Sequence, residues 1–272
     1  MPMKTVWASI FPITTSELSS AVTVTGVLAE LLDLVIIFCG IRSGLLRRYP
    51  FFFFNMACSL VGDVVLSSVR IRMPSLYPQL YWIVQFVTLL AACGIVLEIF
   101  DHVLSGYPGA DKFARTVSVS VFAGVCCFSF LYPALSSRTT LAGSVIVFER
   151  DVRTVQAIFF AVILMIVLHY GIRMGRNVLG LTIGYGSYIL ISLLSLAIRA
   201  YAGRSFDEMW RFIQSIAYDA CLATWTYAFW TYAAAPAPPA NVRIGSDYEA
   251  LVSKTKVALG SMRSYLGRSI RS

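Results

Sequence analysis

The sequence predicts an all-α polytopic membrane protein, a bundle of seven transmembrane helices followed by an amphipathic C-terminal helix at the membrane surface. Three observations predict it. Hydrophobic residues make up 58% of the 272 residues and charged ones only 13%, where a soluble domain carries about 25% charge. That much apolar surface has no place on a protein of this size in water. Seven apolar windows of roughly 20 residues, the length that spans a bilayer as a helix, divide the chain. The windows are apolar on all sides, whereas a membrane β-barrel alternates over ten-residue segments.

Residues 1–23 form a short N-terminal segment with one lysine, Lys4, and a small apolar patch, "MPMKTVWASIFPITTSELSS". The patch turns polar at once, which is unlike a cleaved signal peptide. The transmembrane domain is 24–233, with spans at 24–42, 51–69, 79–101, 116–135, 152–172, 177–198 and 210–233. "IRSGLLRRYP" and "IRMPSLYP" join the first three. "SGYPGADK" follows the third, with Pro108 and Gly109 as turn residues. The longest connection, "SSRTTLAGSVIVFERD", follows the fourth, and "RMGRN" and "AYAGRSFDE" follow the next two.

A proline-rich linker, 234–245, leads to the basic segment 246–272. Ser246 and Glu249 match a capping box. Tyr248, Leu251, Val252, Leu259, Met262, Leu266 and Ile270 recur mostly at spacings of three and four. Lys254, Lys256, Arg263, Arg268 and Arg271 supply positive charge. The pattern predicts an amphipathic helix on an anionic leaflet, with a disordered basic tail as the alternative.

Lys and Arg counts orient the bundle. With the N-terminus outside, Lys4, Arg70, Arg72, Arg138, Arg150, Arg153, Arg199, Arg204 and Arg211 are external, 9 of the 22, and the other 13 are internal. The bias places the C-terminus in the cytoplasm. Cys39, Cys58, Cys93, Cys126, Cys127 and Cys221 all fall inside spans, so no disulfide framework is expected.

Seven helices invite comparison with retinal proteins and G-protein-coupled receptors. A retinal Schiff base needs a lysine within the bundle. Lys4, Lys112, Lys254 and Lys256 all lie outside the spans, so retinal is excluded and no cofactor is expected. The third span ends "LEIFDHV" without Asp-Arg-Tyr, and the seventh, "SIAYDACLATWTYAFW", lacks Asn-Pro-x-x-Tyr. Helix number alone assigns no function. "LYWIVQFVTLL" at 80–90, "YPG" at 107–109 and "GRNVLG" at 175–180 resemble an uncharacterised family of bacterial seven-helix membrane proteins. The resemblance implies the topology and a bacterial inner membrane, and it carries no activity and no site residues.

Ionisable residues within spans are the best functional clue, because each is costly in lipid. Asp33 sits at the centre of the first span, with Glu30 one turn away on the same face. Asp63 and Asp219 reach about the same depth in the second and seventh spans, given the rise of about 1.5 Å per residue. With no Lys or Arg expected at that depth, Glu30, Asp33, Asp63 and Asp219 form a candidate acidic site for a small ligand, a cation or protons. The alternative is separate acids hydrogen-bonded between helices. A second polar set, Glu98, Asp101 and His102, lies at i, i+3 and i+4, with His169 at similar depth. This set suits interfacial pairing with Arg173 and Arg176, with metal binding the lesser alternative and no metal assigned.

Tyr49 and Phe51 to Phe54 read as a lipid-facing or interfacial aromatic belt, as do Trp210, Trp225, Trp230 and Tyr232. Gly184, Gly186 and Ser187 would let the sixth span pack closely. No P-loop, GxSxG, HExxH or dinucleotide fingerprint occurs, which argues against an enzyme, and nothing points to nucleic acid. A receptor- or sensor-like bundle is the leading expectation. A small proton- or cation-coupled carrier comes next, and an intramembrane enzyme last.

Overall fold

A computed structural model describes residues 15–135, 141–202, 207–233, 247–250 and 252–257, without the side chains at 15–22, 108, 128–135, 141–147, 196, 199–202 and 207–211. The described residues are helical, with short connections and no strand. The long helices are α1 (Thr15–Arg42), α2 (Pro50–Arg72), α3 (Tyr77–Leu104), α4 (Pro108–Leu135), α5 (Leu141–Tyr170), α6 (Arg176–Ala202) and α7 (Asp207–Phe229).

Five of these, α1, α2, α3, α5 and α6, contain stretches long and apolar enough to cross a membrane, counted over the described residues. The expected seven spans are therefore met in five. α7 carries Asp219 among threonines and tyrosines, which lowers its mean hydropathy, and the last part of α4 lies among the residues whose side chains are not described.

Several helices are longer than expected. α1 starts at Thr15, inside the presumed N-terminal segment, and α4 starts at Pro108, inside the presumed turn "SGYPGADK". Proline suits the first helical turn because its missing N–H has no partner to lose there, and Asp111 in that turn suits the helix dipole. α5 starts at Leu141, so much of the presumed long external connection is helix. A charged run such as "ERDVR" can sit on a helix when i, i+4 partners such as Glu149 and Arg153 pair. Glycines with positive φ, at 68° and 61°, make the turns after α1 at Gly44 and after α5 at Gly171.

The helices pack in ring order. α1 lies against α2 and α7, α6 against α7 and α5, and α4 against α5, while α3 touches α2, α4, α5 and α6. α3 is thus the central helix, and most of its residues from Leu89 to Leu104 are buried. The core joins α2 to α7 through aromatic rings. Phe52 stacks on Phe229 with centroids 4.8 Å apart and meets Trp225 edge-on at 5.2 Å. α6 fits against α7 because Gly180 and Gly184 leave room for Ala228 and Trp225, and any Cβ there would collide with them. Gly186 faces Phe160 of α5 instead.

The belt reading fails for part of the aromatic set. Tyr49, Phe52, Phe53 and Trp225 are buried, while Phe51, Phe54, Trp230 and Tyr232 are exposed. A helix turns once in about 3.6 residues, so a run of four phenylalanines points in every direction and cannot all face lipid. The side chain of Trp210 lies outside the described residues.

Residues 247–257, apart from 251, continue as helix. Its start rests on the bundle. Tyr248 packs on Gly109 and beside Phe113, and the Tyr170 hydroxyl donates to Asp247 at 3.1 Å. The linker 234–245 and the segment 258–272 lie outside the described residues, as does the N-terminal stretch 1–14.

Candidate functional site

A cavity of about 500 Å³ lies among α2, α3, α5, α6 and α7, lined from the middle of α2 and the first half of α3. Its walls mix amides, hydroxyls and rings: Asn55, Ser59, Gln85, Gln214, Tyr81, Tyr188, Tyr218 and Trp225, with Asp63 and Arg153 as the charged members. That volume falls within the range of small-molecule sites, roughly 300–1,000 Å³.

Asp63 projects from α2 as an exposed side chain on this cavity. Gly62 beside it lets Val84 of α3 come close, which sets the α2–α3 wall. Asp33 lies on α1, which packs against α2, and is only 2% exposed. The charged groups acting on Asp33 are Asp63, Asp219 and Glu30. Asp219 of α7 is also buried, at 9%, while Glu30 is exposed. Oδ1 of Asp33 and Oδ1 of Asp219 are both buried with no hydrogen-bond partner among the described residues. No cationic side chain pairs with any of these four acids among the described residues. Tyr218, next to Asp219, is hydrogen-bonded to Ser59 and lies within electrostatic reach of both Asp33 and Asp63. Helix α7 therefore links the acids to the cavity wall.

Arg153 is the residue the sequence reading misplaced. Counted among external arginines, it is 6% exposed inside α5 and lines the cavity. Its guanidinium pairs with Glu149 at 2.9 Å, donates to the Tyr188 hydroxyl at 3.4 Å, and lies 5.1 Å from the centre of the Tyr188 ring. Beyond it, Gln156 is fully buried and donates to Cys93 Sγ at 3.8 Å, and Tyr185 donates to the Ala92 carbonyl at 3.0 Å. The signal available in the sequence was the i, i+4 pair Glu149–Arg153, which marks helix rather than loop.

The second polar set does not gather at one point. Glu98 is 3% exposed, and its two carboxylate oxygens accept the backbone N–H groups of Phe51 at 3.2 Å and Phe52 at 3.0 Å. It caps the first turn of α2, where Tyr49 provides no side-chain cap and Pro50 no N–H. His102 hydrogen-bonds through Nδ1 to the Glu98 carbonyl at 2.8 Å and stacks on Tyr49 at 4.4 Å. Asp101 faces Arg115 at 3.9 Å in an exposed pair. His169 is exposed and meets Tyr170 edge-on. Arg176, expected near this set, instead bonds to Thr231. No group of three or more His, Cys, Asp and Glu suited to a metal ion occurs among the described residues.

The "GRNVLG" stretch has a structural use. Asn177 is fully buried, donates to the Ala228 carbonyl at 2.6 Å, and accepts the Ala233 N–H at 2.7 Å. It ties the start of α6 to the end of α7. Comparison of the chain with protein-family models, curated proteins and solved structures finds no match.

Proposed function

We propose that the chain is a receptor- or sensor-like integral membrane bundle that holds a small ligand in the cavity bordered by Asp63. In this reading all seven helices cross a bacterial inner membrane, with the N-terminus outside and the C-terminus cytoplasmic. The basic C-terminal helix lies on anionic lipid. The single observation that carries the reading is a cavity of about 500 Å³ walled by five helices at once. A ligand there touches α2, α3, α5, α6 and α7 together, so it favours whichever arrangement of those helices fits it best. Differential contact of that kind is what a receptor requires.

A carrier coupled to protons or cations is the second reading. The oxygens of Asp33 and Asp219 that have no hydrogen-bond partner among the described residues favour it, because buried carboxylates on neighbouring helices are the groups that relay protons in transporters.

Two measurements test these readings. A panel of small molecules is screened by thermal unfolding of the protein in nanodiscs, against Ser59→Phe, which fills the cavity. Compounds that stabilise the wild type and not the variant support a cavity ligand, and failure of any compound to separate the two proteins removes the reading. Proteoliposomes carrying a pH dye then divide receptor from carrier. Ligand-dependent proton movement assigns a carrier, and binding without flux assigns a receptor.

A further inference from the structure

We propose that the ligand of this cavity is a small organic cation, an ammonium with short alkyl substituents, its charge held at Asp63 and its alkyl surface against aromatic rings. This deepens the receptor-like reading and rests on it.

Charge comes first. Asp63 is the carboxylate on the cavity wall, and no cationic side chain pairs with it among the described residues. Asp33 and Glu30 of α1 and Asp219 of α7 are also acids. Arg153 does not offset them, because Glu149 and Tyr188 already hold its guanidinium. The acidic wall is therefore unbalanced and favours a cation.

The walls then select the kind of cation. Tyr81, Tyr218 and Trp225 all border the same space. The negative faces of such rings attract alkylammonium groups, which shed water more easily than a bare metal ion does. Hard metal ions want a close shell of six or more oxygens. A single wall carboxylate among rings and amides suits them poorly. Size agrees, since a space of about 500 Å³ accepts a molecule of several heavy atoms.

A further observation is Asp33 of the neighbouring α1, only 2% exposed, whose Oδ1 has no hydrogen-bond partner among the described residues and on which the Asp63 charge acts. Two acids held in that proximity are relieved when a cation arrives at the outer one.

The test uses the full chain in nanodiscs of neutral lipid. Its probes are choline, tetramethylammonium, the neutral choline isostere 3,3-dimethylbutan-1-ol, and sodium chloride at matched ionic strength. Binding is read from thermal unfolding and from tryptophan fluorescence. The expected result is stabilisation by both ammonium probes, with the neutral isostere at least about tenfold weaker and sodium without effect. Asp63→Asn should abolish the preference for charge. Ser59→Phe, which keeps the acid and fills the space, should abolish binding of all organic probes. Equal binding of choline and its isostere overturns the proposal, and so does an equal response to sodium, an unchanged preference in Asp63→Asn, or no response to any probe. Those results leave the receptor-like reading standing if another compound still separates the wild type from Ser59→Phe. That reading fails only when no compound does.

Discussion

The carboxylate of Glu98 in α3 accepts the backbone N–H of Phe52 in α2 at 3.0 Å, so one helix caps another. The first N–H groups of any helix lack internal partners, and buried ones are costly to leave bare. Glu98→Ala should lower the unfolding free energy by about 1–3 kcal/mol. Glu98→Gln, which keeps one acceptor oxygen, should cost less. Unfolding midpoints in detergent measure both, and an unchanged midpoint in Glu98→Ala would show that water satisfies those amides instead.

The acids of α1, α2 and α7 should behave as one set. Asp33→Asn and Asp63→Asn, made singly and together, should depart from additivity by more than about 0.5 kcal/mol, because each removes a charge the other feels. A double-mutant cycle on thermal stability reads the coupling. Additive effects would mean that the acids act separately as interhelical hydrogen-bonding groups.

Membrane orientation is open to a direct check. A reporter fused after Ser272 should be cytoplasmic, and one inserted near Thr140 external, as the Lys and Arg bias implies with the buried Arg153 set aside. Reporter activity on the opposite sides would invert the whole assignment.

The C-terminal segment should prefer negative lipid. A peptide covering Ser246 to Ser272 is expected to gain helicity on anionic vesicles and bind neutral ones poorly. Equal affinity for both would leave only its apolar stripe as the source of binding. In the full chain, Tyr248→Ala removes the contacts with Gly109 and Phe113. It should loosen the segment from the bundle without unfolding it, which limited proteolysis would detect.

Much of the fold was legible because length and apolarity decide it. The windows for α1, α2, α3, α5 and α6 come from composition alone. The ends were less legible, since Pro108 and the charged run around Glu149 look like loop signals until i, i+4 pairing and first-turn chemistry are weighed. The acids were legible as rare charges in apolar helices. Their mutual electrostatic influence fits the ring order, which places α1 between α2 and α7. The roles of Arg153 and Glu98 were not legible. Both depend on partners across helices, Tyr188 for one and the Phe51 and Phe52 amides for the other. Trp225 was misread because burial of a large ring needs a matching hollow, and Gly184 supplies it from another helix.

The borrowed cap on α2 also bears on how the chain is made. Synthesis runs from the N-terminus, so α2 leaves the ribosome with its opening amides unmet. Their partner, Glu98, is added 46 residues after Phe52. Helix α2 is complete only when α3 has come down beside it. A chain arrested between the two would present α2 with its opening amides uncapped.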